Sequence, residues 1–209
     1  MIKVDFKRLF MRLWALIVNP RQAWSDILEE EPRQDVAMSF VFPLTCLCGL
    51  AILLGRVVRD GFADGAFMYA FTDAVIACLG LVVAFYLTSA VVDRLSVRYL
   101  QQEPDRRRSA LLVGYSFAVV FALTLLVGLF PEWVLFKWVL QFYVVYVVWV
   151  GAEVVMKLDE DRRMTFSLLT SASILLIPFL IQFVFNKLSL IFVTKKKMPV
   201  SMIGASPFA

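Results

Sequence analysis

The chain contains no histidine. That absence removes the commonest general base, the commonest metal ligand and every catalytic arrangement built on an imidazole. Cysteine is sparse: Cys46, Cys48 and Cys78 all fall inside apolar runs without the spacing of a zinc site or a disulfide framework, and read as small buried packing residues. There is no Walker loop, no dinucleotide glycine pattern and no buried pair of carboxylates. The sequence therefore predicts no catalytic residue, no metal site and no cofactor, and the protein reads as a non-enzyme. Repeats and low-complexity segments are missing, and the apolar stretches lack the matched, interrupted halves of inverted-repeat transporters. Nothing points to nucleic acid or to a specific small-molecule substrate.

Charge is also scarce. Of 209 residues, 18% are charged and 61% are hydrophobic, against about 45 to 50% apolar in soluble domains. The excess has to face lipid or neighbouring spans, which makes the lipid bilayer the first expected partner. What the chain does have is length in its apolar runs. Ala110 to Leu129 is twenty residues without a charge, Phe130, Pro131 and Glu132 interrupt, and Trp133 to Val155 is apolar again except for Lys137 and Glu153. Twenty helical residues rise about 30 Å, the thickness of the hydrocarbon core, so this stretch reads as a membrane hairpin turning at Pro131. Three further runs bring the expected spans to 36–55, 70–92, 110–129, 133–155 and 164–186. The fold class is thus all-α: a polytopic integral membrane protein of five transmembrane helices, with a membrane domain over 36–193 and a tail over 194–209. Pro43 in the first span predicts a kink near Ser39.

Residues 1–35 form an amphipathic, interfacial N-terminal segment. Phe6, Phe10, Leu13, Trp14 and Ile17 recur at helical spacing, with Lys3, Lys7 and Arg8 mostly to one side. Asn19 as N-cap and Pro20 as first helical residue start a second short helix with Trp24, Ile27 and Leu28 on its apolar stripe, ended in solvent by Glu29, Glu30 and Glu31. Either an anchor packed on the spans or a docking surface for a partner fits this pattern. With five spans and the N-terminus inside, the cytoplasmic segments hold 14 Lys and Arg against 7 outside, so the N-terminus is expected in the cytoplasm and the C-terminus outside.

Few residues carry chemical interest. Glu153 reads as an interfacial acid paired with Lys157 or Arg162, and Asp73 as an interfacial acid at the start of the second span. Gln141 reads as a hydrogen bond between helices. Gly114, Ala118 and Ala122 repeat every four residues, the spacing that lets helix backbones approach within a bundle or a homo-oligomer. A transport path would have to draw on Asp73, Gln141, Glu153, Ser171 and Gln182.

The whole layout resembles the Yip1 family. The likeness rests on the N-terminal segment with Asn19, Pro20, Trp24, Ile27 and Glu30, on five spans, on the basic segment with Arg94, Arg98 and Arg106 to Arg108, and on Gly114, Tyr115 and Ser116 opening the third span. It implies a cytoplasmic N-terminus and an external or lumenal C-terminus. Eukaryotic members carry a longer N-terminal region with an Asp-Leu-Tyr-Gly-Pro motif and bind Rab-type GTPases. This chain lacks both and resembles the short prokaryotic branch, which implies a bacterial cytoplasmic membrane as the setting and carries no GTPase site over. The missing catalytic groups, the amphipathic N-terminus and the helix-packing runs point to a scaffold or organising role with other membrane proteins as partners, with a small oligomeric transporter or channel, or a lipid-binding protein, as the alternatives.

Overall fold

The computed structural model describes residues 6–30, 35–61, 66–100, 103–156, 158 and 160–196, and every regular element among them is helical. Helices α1 (Phe6–Val18) and α2 (Pro20–Glu30) form an N-terminal hairpin. Proline starts α2 because its missing N–H falls among donors that have no helical partner anyway, and the Asn19 carbonyl accepts from Ala23 N at 3.1 Å. Glu31, Lys157 and the tail from residue 197 onward lie outside the described residues.

The first long helix opens on a wide π turn, Ala37–Val41, and continues as α3, Phe42–Asp60. The turn accounts for the kink expected near Ser39. Pro43 has no N–H for the Ser39 carbonyl, and the backbone loosens just before it, with the Phe42 N–H reaching the Ala37 carbonyl. Asp35 holds the start of the turn by accepting from Ala37 N at 3.0 Å and, through its carbonyl, from Ser39 Oγ at 2.9 Å.

Helix α4 (Ala66–Leu95) returns antiparallel to α3 and ends in a second π turn, Ser96–Leu100. The third run is α5 (Arg106–Ser116) followed by α6 (Ala118–Leu129), joined at Phe117, whose N–H donates to the Val113 carbonyl at 2.9 Å and whose carbonyl accepts from Phe121 N at 2.8 Å. Asp105 caps α5 by accepting from the amides of Arg107 and Arg108, both at 3.1 Å. After a 3-10 turn, Pro131–Trp133, the fourth run is broken: α7 (Val134–Leu140) and α8 (Tyr143–Met156) meet at a 45° bend across Gln141 and Phe142. A single straight helix over 133–155 is therefore not what forms. Helix α9 (Glu160–Lys196) runs 37 residues and carries on past Asn186 and Lys187, where a polar stop was expected.

Among the described residues four helices are long and apolar enough to cross a membrane, and the bent α7–α8 pair makes a fifth when counted as one span. Large apolar side chains face outward along α4 (Phe71, Val75, Leu79, Val83) and α9 (Leu176, Leu180, Phe183), the surface a lipid-facing bundle presents.

The best-packed core lies at the end of the bundle where α1 and α2 dock, the docked end. Trp24, Phe40, Phe85, Tyr115, Phe117, Phe121 and Phe166 are all fully buried there and in the adjoining midsection. The opposite end, reached by Arg56, Gly128, Lys137 and Gln182, is the open end. It includes α7, which has no buried residue.

Candidate functional site

Two places concentrate the polar and close-packed features. The first is the seat of the N-terminal hairpin. Helix α1 has two apolar faces: Leu9, Leu13 and Leu16 are buried against the bundle, while Phe6, Phe10 and Trp14 face outward. Such a helix suits a protein–lipid boundary, with one face for each. Helix α2 buries Pro20, Ala23, Trp24 and Ile27 and leaves Arg21, Gln22, Ser25, Asp26 and Glu29 exposed.

Trp24 is the anchor. It is 0% exposed, and its indole N–H donates to the Val147 carbonyl on α8 at 3.1 Å. The indole lies against Gly151, where a Cβ would come within 2.7 Å of two of its carbons. Tyr115 packs edge-on to Trp24 with ring centroids 6.0 Å apart and lies 4.8 Å from Phe40. Its hydroxyl accepts from Arg12 Nη1 at 3.0 Å. Arg12 also pairs with Glu30, to which Arg8 adds a contact at 3.5 Å, so the open ends of α1 and α2 are tied together by charge. Near the hairpin turn, the Tyr143 hydroxyl donates to the Ile17 carbonyl at 2.8 Å.

Gly114 explains how α3 reaches this cluster. A Cβ there would meet Val36 Cγ1 at 2.5 Å and crowd Phe85 and Val41. Gly114 and Ala118 are buried and Ala122 is partly buried against the core, so the first two small residues are spent inside the bundle. Of the sequence-derived candidates, Gly114, Tyr115, Pro20 and Trp24 come together here, and Asn19 sits exposed on the hairpin turn.

Glu153 belongs to a different contact. It pairs with Arg163 at 2.7 Å, with the start of α9 folded back beside α8, and not with the expected Arg162 among the described residues; the other expected partner, Lys157, lies outside them. The Arg163 side chain is 12% exposed and its guanidinium stands over the Trp149 ring at 4.6 Å. The cysteines also divide: Cys48 is buried and Cys78 half-buried, but Cys46 faces outward.

The second place is a cavity of about 430 Å³ at the open end, between α3, α4, α6, α7 and α9. Gln141 and Gln182 line it, with Arg56, Arg59 and Lys137. Asp73 pairs with Arg56 at 2.6 Å beside it. Gln141, expected to bond between helices, has no side-chain hydrogen bond among the described residues; it sits at the α7–α8 break and lines the cavity. Ser171 is buried mid-bundle with Ser116, Ser167 and Thr170, and none of these hydroxyls has a hydrogen-bond partner among the described residues.

Sequence reasoning missed three features. The closest backbone approach joins α3 to α6 at Gly55 and Gly128, where a Cβ on Gly55 would run into the Gly128 carbonyl oxygen. Isolated glycines carry no periodic signal, so this pair was invisible. The bed for Trp24 at Gly151 was equally silent. Arg12 did leave a trace: a lone charge inside the apolar run Leu9 to Val18 has to find partners.

A bundle of apolar crossing helices with a structured N-terminal hairpin fixed to one end defines a polytopic, all-α membrane protein. The sequence matches the Yip1 domain over residues 14–182, most of its length, and the chain belongs to the Yip1 family. No curated protein and no solved structure matches it.

Proposed function

We propose that this Yip1-family protein is a non-enzymatic membrane scaffold. It lies in a bacterial cytoplasmic membrane with its N-terminus inside and its C-terminus outside, and it organises other membrane proteins or copies of itself through the α1–α2 hairpin. The observation that carries the reading is the seat of Trp24. A segment that only tethered the chain to the lipid surface would need no buried indole, no Val147 acceptor and no Gly151 bed. These fix the hairpin in one orientation, so the polar face with Arg21, Gln22, Ser25 and Asp26 is held in place as a preorganised surface. The 14-to-7 excess of basic residues on the hairpin's side supports the orientation.

The distribution of polar groups favours a scaffold over a transporter. Asp73 is engaged by Arg56 at one end and Glu153 by Arg163 at the other. A photo-crosslinking residue placed at Ser25 in native membranes tests the reading. The expected result is a discrete protein adduct from Ser25, lost when Trp24 is replaced. Adducts with lipid alone, from a protein that stays monomeric in mild detergent, overturn it.

A further inference from the structure

The open-end cavity combines charge, unpartnered polar groups and apolar walls in a way that selects one class of ligand. Arg56, Arg59 and Lys137 are its cationic lining. Arg56 is held by Asp73 at 2.6 Å and Asp60 at 3.8 Å, and Arg59 by Asp60 at 3.4 Å. Among the described residues, two carboxylates against three cations leave one positive charge, and it resides on Lys137, which has no ion pair or hydrogen bond there. The side-chain amides of Gln141 and Gln182 are likewise without a protein partner there and border the same space. None of these groups is fully enclosed, so an ammonium and two amides without a protein partner stand accessible to a ligand that enters the cavity.

We infer that this cavity binds the phosphodiester headgroup of an anionic phospholipid. One net positive charge complements the single negative charge of a phosphodiester, whereas free phosphate, with its second ionisation near neutral pH, is a mixture of singly and doubly charged forms. Among the described residues the lining has no carboxylate for a choline or ethanolamine, and the nearby Asp60 and Asp73 already serve the arginines. Glu132 is exposed on the adjacent turn, outside the lining. The volume, about 430 Å³, takes a headgroup and leaves the acyl chains outside. Trp138 and Phe179, with ring centroids 5.9 Å apart, form an apolar flank, and Leu135, Phe136 and Val139 continue the outward face of α7 along which a chain can lie. Lys137 thus acts as the point charge, Gln141 and Gln182 as donors to phosphate and glycerol oxygens, and the bend between α7 and α8 opens the space.

The test is lipid retention by the full chain in mild detergent, read by native mass spectrometry together with the melting temperature. The arms are phosphatidylglycerol, phosphatidylcholine and inorganic phosphate. Phosphatidylglycerol is expected to be retained and to raise the melting temperature, with the other two giving neither effect. Lys137→Gln lowers its apparent affinity about tenfold, the scale of losing one charge-assisted contact. Lys137→Arg keeps binding, and Arg106→Gln at the docked end leaves it unchanged. Should Lys137→Gln fail to fold, Thr124→Leu, which fills part of the cavity without altering charge, is expected to reduce retention in its place. Equal retention of phosphatidylcholine, equal binding of inorganic phosphate, or undiminished binding by both Lys137→Gln and Thr124→Leu overturns the proposal.

Discussion

The two ends of the bundle solve different problems with the same kind of helix. At the docked end, α2, α5 and α8 close around Trp24, Tyr115 and Phe40, and every residue of α5 from Leu111 to Ser116 is buried. At the open end, α7 buries nothing, the helix it belongs to is broken, and polar groups border a cavity. The contrast shows where preorganisation is concentrated. A hairpin whose outer face is polar is held by a dense aromatic seat, while the opposite end keeps room and an uncompensated charge. Close backbone contact joins α3 to α6 at the open end through Gly55 and Gly128.

The largest expected effect comes from breaking the docked end. Trp24→Ala removes a fully buried indole and its bond to Val147, and is expected to cost about 3 to 5 kcal/mol. Melting in detergent, followed by limited proteolysis between α2 and α3, checks it: the hairpin should become cleavable before the spans unfold. Next is Gly128→Val. A Cβ there already lies 3.1 Å from Ile52 N and 3.2 Å from the Ala51 carbonyl carbon, both backbone atoms that cannot move aside. Overpacking of this kind costs about 1 to 3 kcal/mol, and thermal unfolding should show a drop while the Ser25 crosslink persists. The smallest effect is expected at Ser171→Ala. Its buried hydroxyl has no partner among the described residues, so its removal should change stability by less than about 0.5 kcal/mol or raise it. A marked loss of stability would mean that the mid-bundle hydroxyls are satisfied by something other than the protein.

The sequence made the all-α membrane class legible because lipid forces long uncharged helical runs. Pro43 also announced an irregular helix start, which takes the form of the π turn Ala37–Val41. The break at Gln141 and Phe142 was hidden, since no proline or glycine marks it and both flanks are apolar. Small residues were legible where they repeat, at Gly114 and Ala118, and silent where they stand alone, at Gly55, Gly128 and Gly151. Ion pairs were the hardest to assign. Glu153 reads as a partner of nearby Lys157 or Arg162, yet tertiary folding of α9 brings Arg163 to it. The cavity could not be foreseen from Lys137, Gln141 and Gln182 separately, because they become neighbours only through the bend and the packing of α9.

The account rests most on the claim that the N-terminal hairpin is a fixed part of the bundle. Hydrogen exchange by mass spectrometry, on the protein in a lipid nanodisc, measures this directly. An eleven-residue helix with a polar outer face is not stable alone in water, so protection of residues 20–30 has to come from docking. The predicted result is that amides around Trp24 and Ile27 exchange as slowly as those of α5, and more slowly than Gln141 and Phe142 at the helix break. Exchange of residues 20–30 at the rate of an unprotected chain, with α5 still slow, would contradict it.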